Sequence, residues 1–265
     1  MLPDFAPGGT SDADLGVQMI LEPAAEYEAF TLNTWAGYYF TDNANLLDTG
    51  RIEDHVFNSL VSLSWLPPIA GNLYGEATLR EQTFRYNALS DLDFDAYDAG
   101  IGVVYVLRSL GDTSIFTRYN YSEFRDAHDG YGDIYSNHSI QAGAFKSWIL
   151  SRTQFLYASW ISDVSLDGDP GYAERHDHSA TFGYRINPVR KVKGEVFYRA
   201  AFIDYSDRGR EDWNHAVGSS ITYNFTPNVY LSAYATFTGN QSNLDVGGDY
   251  DAWQTGVRLG GYWRY

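Results

Sequence analysis

From about residue 29 to the last residue, apolar and polar side chains alternate with a period of two. Successive side chains on a strand point to opposite faces, so this period predicts β-strands with two chemically different faces; helical periodicity is almost absent. Twelve runs carry the pattern, at 29–41, 55–66, 72–86, 97–109, 114–124, 134–150, 153–164, 176–187, 191–204, 213–225, 228–239 and 252–265. Their connections alternate in character. Short ones fall at 67–71, 111–113, 151–152, 188–190 and 226–227, and long polar ones at about 42–54, 87–96, 125–133, 165–175, 205–212 and 240–251. Strands joined in this way predict an up-and-down antiparallel meander with both ends on the side of the short turns.

The two faces predict where the meander sits. One face carries sets such as Phe57/Val61/Leu63/Trp65, Ala180/Phe182/Tyr184/Ile186 and Val217/Ile221/Tyr223/Phe225, and the other carries Asn58/Ser62/Ser64, Thr181/Gly183/Arg185 and Asn214/Gly218/Ser220/Thr222. Tyr and Trp recur near strand ends, as aromatic girdles at a membrane surface require. Charge is segregated too. Of 34 acidic and 18 basic residues, the acids gather in the long connections, whereas Arg108, Arg152, Arg190 and Lys191 mark the short turns. Short turns on one side and long loops on the other suit a barrel between two aqueous compartments. The expected fold is therefore all-β: a closed antiparallel up-and-down transmembrane β-barrel of 12 strands. A soluble sandwich or barrel with an aromatic core is the alternative. The weakest strand is 134–150, because Lys146 falls among its outward residues unless a bulge intervenes.

Composition fits this reading. No run of about 18 apolar residues exists to form a membrane helix. A mean hydropathy of −0.35 does not argue against a membrane, because a barrel alternates lipid-facing and lumen-facing residues. A net charge of −16 argues against a nucleic-acid partner. With no Cys, disulfides and thiolate metal sites are excluded.

The last eight residues, Arg258-Leu259-Gly260-Gly261-Tyr262-Trp263-Arg264-Tyr265, carry a polar residue, a Gly, a hydrophobic residue and a terminal aromatic at Arg258, Gly260, Trp263 and Tyr265. This resembles the C-terminal β-signal of bacterial outer-membrane proteins of the porin-type barrel families. The resemblance implies an outer-membrane location, surrounding lipids and lipopolysaccharide, and insertion by the barrel-assembly machinery, the last strand being recognised first. The oligogalacturonate and sialic-acid porins are analogues in architecture.

Residues 1–28 lie outside the alternation. Met1-Leu2-Pro3-Asp4 lacks the basic and apolar regions of a secretion signal, which leaves open a mature chain with an added Met or a cytosolic one. Residues 12–21 predict a short amphipathic helix, either a lumen plug or link to a further domain, or a loosely held periplasmic tail.

Alternation places Arg80, Arg118, Arg185, Lys193, Arg199, Arg258 and Arg264 inside, against Glu76 and Glu195. A positive wall favours anions, since guanidinium groups fork onto carboxylate and phosphate. Inward Trp35, Tyr74, Tyr230 and Tyr234 offer stacking surfaces for sugar rings. The expected function is a pore passing small polar or anionic solutes, such as acidic oligosaccharides, by passive diffusion. The competing electrostatic account is that Arg80 with Glu76, and Arg199 with Glu195, brace a filled lumen. The competing function is a translocator or anchor for a larger envelope assembly.

Other motifs carry less. Asp91-x-Asp93-x-Asp95 resembles the start of a calcium loop, but Ala96 replaces the turn Gly and Gly102 stands where the bidentate Glu belongs. A solvated acidic rim, or weak divalent binding that bridges lipopolysaccharide phosphates, remains. All six His lie at the loop ends of strands. His176 and His178 share a face but lack a committed third ligand. Asn137-His138-Ser139 holds the residue types of outer-membrane phospholipases, yet neighbours on a strand face opposite ways. No enzymatic activity, cofactor or metal is expected.

Overall fold

In the computed structural model, residues 29–128, 132–206, 209–244 and 248–265 are described. The helix expected at 12–21 lies outside them. Thirteen strands follow in order: β1 (Phe30–Thr41), β2 (Asp54–Trp65), a short β3 (Pro68–Ala70), β4 (Leu73–Tyr86), β5 (Phe94–Leu107), β6 (Thr113–Asp126), β7 (Asp133–Ser151), β8 (Gln154–Asp169), β9 (Arg175–Val189), β10 (Val192–Tyr205), β11 (Arg210–Asn224), β12 (Val229–Ser242) and β13 (Tyr250–Arg264). All except β3, which folds onto the start of β4 within the first short turn, make up a closed antiparallel barrel of twelve strands. Each long strand pairs with its neighbours in sequence, β2 pairs directly with β4, and β13 pairs with β1 from Thr31↔Arg264 to Thr41↔Gln254. At the seam, Phe30 and Tyr265 exchange both backbone hydrogen bonds at 2.9 Å.

The outer face is apolar as expected. Ile101 and Ile221 are each 66% exposed and Phe182 60%, whereas the inward Val56 is 0% exposed and Leu60 1%. Exposure of this kind around a closed wall is stable only against lipid. Lys146 does face outward. The register shifts in β7 lie at His138/Ser139 and Ile149/Ser151, too far away to turn it. Its Nζ instead donates to the carbonyls of Leu110 and Gly111 in the turn after β5, where Gly111 takes φ +66°. The stem thus crosses the apolar margin while the charge caps a turn.

Strands run further into the loop side than the alternation extends: β8 continues to Asp169 and β11 starts at Arg210. Beyond the apolar belt both faces meet water, so the side-chain signal stops while backbone pairing continues. The long connections are pinned by buried side chains. Asp54 accepts N–H groups of Ala88 and Leu89 at 2.9–3.0 Å. Asn43 donates to the carbonyls of Leu47 and Asp251.

Inside, one device recurs. On four rising strands an aromatic ring lies over a glycine of the next strand, its register partner: Phe116 over Gly143, Tyr157 over Gly183, Phe197 over Gly218 and Tyr230 over Gly260. A Cβ on these glycines would come within 2.7, 2.2, 2.4 and 2.5 Å of the rings, so only glycine admits them. Towards the loop side, Tyr39, Val56, Phe84, Phe94 and Ala96 pack together with Tyr86, Phe124, Ile134 and Tyr234, and Phe84 stacks on Phe94 at 4.6 Å.

Tyr157→Ala is expected to lower stability by roughly 3 kcal/mol, and Gly183→Val by about 1–3 kcal/mol through overpacking. Urea unfolding in lipid vesicles checks both. The double variant loses less than the sum, because removing the ring removes the clash.

Candidate functional site in the barrel lumen

Two rows of charge cross the interior. Glu76 on β4 and Arg118 on β6 are both register partners of Gly102 on the strand between them. Because Gly102 has no side chain, the two meet over its backbone, Nη1 to Oε1 at 3.2 Å. The row continues from Arg118 Nε to Gln141 Oε1 at 2.7 Å and from Gln141 Nε2 to Asp163 Oδ2 at 3.1 Å, spanning β4 to β8. Beside it, Arg80 donates to Asp98 at 3.0 Å, and Ser122 donates to the other oxygen of Asp98 at 2.6 Å. Lower in the barrel, Arg185 pairs with Glu195 at 2.8 Å, and Tyr157 donates its hydroxyl to the same carboxylate.

The remaining expected wall residues also face inward. Arg199 lies opposite the buried Thr181 and Ala216. Lys193 sits exposed at the turn-side mouth. Arg264 donates to Tyr262 Oη at 2.7 Å. Arg258 is held between two rings, its guanidinium carbon 5.7 Å from the Trp35 centroid and 5.4 Å from that of Tyr234. In the C-terminal segment, Gly260 lies opposite Trp35 and Tyr230. Trp263 packs over Gly261, and Tyr265 closes the seam.

Asp98, Asp163 and Asp212 are inward acids that the count of seven bases against two had not included. Asp212, 0% exposed, accepts from Arg210 Nε and Asn240 Nδ2, both at 2.9 Å. Parity was the available signal: Asp163 shares a face with Tyr157, Ser159 and Ile161, and Asp98 with Gly100, Gly102 and Val104. Both stand near loops, where alternation is weakest. The expected positive wall is therefore compensated by more carboxylates than the alternation revealed.

In each long strand the inward positions between its ends are buried or half-buried, apart from Lys193. Wall residues of a wide aqueous channel would be exposed, and these are covered.

The other motifs resolve separately. Asp91 lies in a single helical turn (Ser90–Leu92). Asp93 accepts the Tyr86 N–H at 2.6 Å, and Asp95 pairs with Arg85 at 2.8 Å, so the three carboxylates do not act on one ligand. His138 and His215 face outward, their Nδ1 atoms against the hydroxyls of Tyr119 and Tyr198. His178 engages Ser162 at 2.8 Å, and His176 accepts the Ser165 N–H at 3.2 Å. Asn137, on the inner face, accepts from Ser165 Oγ. No group of three metal-ligating side chains occurs among the described residues. In the loop at 42–53, a hydrogen bond that the Arg51 guanidinium donates to the Asp251 carboxylate raises the Arg51 pKa above its usual value.

No family model and no curated protein matches the sequence. Solved structures do match in fold. They include an outer-membrane channel from Pseudomonas putida F1, at 11% identity over 92% of this chain and 100% of that one, with a TM-score of 0.59. The porin NanC matches at 11% identity over 85% and 98%, with a TM-score of 0.45. The translocator domain of the autotransporter NalP from Neisseria meningitidis matches at 11% over 91% and 90%, with a TM-score of 0.47. Identities this low establish a shared architecture, that of the bacterial outer-membrane β-barrel, and the first likeness carries it.

Glu76→Gln leaves the Arg118 charge buried without its carboxylate and is expected to destabilise the barrel by roughly 3 kcal/mol. Pairing it with Arg118→Gln recovers part of the loss in a double-mutant cycle followed by urea unfolding.

Proposed function

We propose that this chain is a passive pore of a bacterial outer membrane, passing small polar or anionic solutes, acidic oligosaccharides among them. One observation carries the reading: a row of charged and polar side chains, Glu76, Arg118, Gln141 and Asp163, crosses the inward face of a closed wall that is apolar outside. Such a lining replaces part of the hydration shell of a polar solute in transit. The covered inward side chains favour slow passage of small molecules over bulk flow. Anion preference rests on Arg258, which is held between the Trp35 and Tyr234 rings on the inward face. In this reading the barrel-assembly machinery inserts the chain by its C-terminal segment, and lipopolysaccharide surrounds the loop-side aromatic zone.

Planar-bilayer recording of the refolded chain is expected to give small, discrete conductance steps with a reversal potential favouring chloride over potassium. Silence in the bilayer overturns the pore, and a cation preference overturns the solute class.

A further inference from the structure

The crossing over Gly102 has a counterpart three strands away, on β1. Gly37 on β1 is the register partner of both Arg258 on β13 and Asn58 on β2, just as Gly102 is of Arg118 and Glu76. A Cβ built on Gly37 would lie 3.1 Å from the Arg258 Cβ and 3.2 Å from Asn58 Oδ1. The bare glycine backbone is thus the floor between a donor and an acceptor. At Gly102 the two sides pair with each other, through Arg118 Nη1 and Glu76 Oε1. At Gly37 they do not: Arg258 Nε and Asn58 Oδ1 are both buried without a hydrogen-bond partner. Among the described residues no carboxylate pairs with Arg258, whereas Arg80, Arg118, Arg185 and Arg210 each have one. Trp35 and Tyr234 clamp the guanidinium, which holds it in place for an incoming anion. A buried donor and a buried acceptor left open on the two strands that flank Gly37, with the cation fixed between rings, call for a ligand that supplies both missing partners.

We propose that the gap over Gly37 is a binding point for a hydroxylated carboxylate of the sugar-acid class, Arg258 taking the carboxylate and Asn58 Oδ1 accepting from a hydroxyl. This deepens the pore reading by giving the lumen a solute-recognition point, and it rests on that reading only for access of the solute.

The full-length chain, refolded in detergent, is titrated with glucuronate by calorimetry, with glucose and acetate as controls. Glucuronate is expected to bind, and each control, lacking the carboxylate or the hydroxyls, to bind at least about tenfold more weakly. Arg258→Gln is expected to weaken glucuronate at least about tenfold, and Arg258→Lys to weaken it less. Asn58→Asp tests the same point without risk to the fold: it completes the internal pair as at Gly102, so it should abolish glucuronate binding while raising the unfolding midpoint. Absence of glucuronate binding to the unaltered chain, or binding unchanged in Arg258→Gln and Asn58→Asp, overturns the inference. Since the readout is heat of binding rather than current, a barrel that conducts without binding overturns this inference alone. One that binds without conducting overturns the pore reading and leaves the site.

Discussion

In hydrocarbon no water is at hand to satisfy a backbone N–H or C=O, so a sheet that crosses a membrane has to have no edge. Everything else in this molecule follows from the meeting of β1 and β13. Their pairing runs the length of both strands and ends on the reciprocal bonds of Phe30 and Tyr265. Closure then creates an interior that must be filled, lined or both, and the side chains available for it are every second residue of twelve strands.

Glycine decides how that interior is used. Where an inward glycine lies beside an aromatic, the ring folds onto its backbone and fills space, as at Gly143, Gly183, Gly218 and Gly260. Where it lies between polar residues on both flanking strands, they meet over it, as at Gly102, or flank it unpaired, as at Gly37. The same absence of a side chain thus yields packing in one context and electrostatics in the other. The turn-side half is filled largely by the first use, and charge crosses the barrel by the second.

Much of this was legible in advance. Strand number, the alternation of turn and loop, and the apolar outer sets follow from a period of two sustained over runs of 11 to 17 residues. The inward placement of Arg80, Arg118, Arg185 and Arg258 follows from the same parity. Their partners did not. Glu76 meets Arg118 across an intervening strand, 42 residues away in sequence, and such a contact depends on register, which parity alone leaves open by any even number of residues. Asp98 and Asp163 were missed because they stand where apolar alternation has already faded. The outward Lys146 looked like a flaw in the strand because a carbonyl cap on a neighbouring turn leaves no mark in local sequence.

The acids crowd the long connections while Arg108, Arg152, Arg190 and Lys191 sit by the short ones, and the rows between them largely cancel. The molecule is therefore an axial electric dipole with a nearly neutral middle. Two consequences attach to that. In the proposed pore, distinguishable ends would make passage unequal in its two directions, because a solute would meet a repelling vestibule on one side and an attracting one on the other. The acidic end also concentrates cations from the surrounding medium, so anions arriving from that side must first pass through a cloud of opposite charge, at a rate that rises with ionic strength.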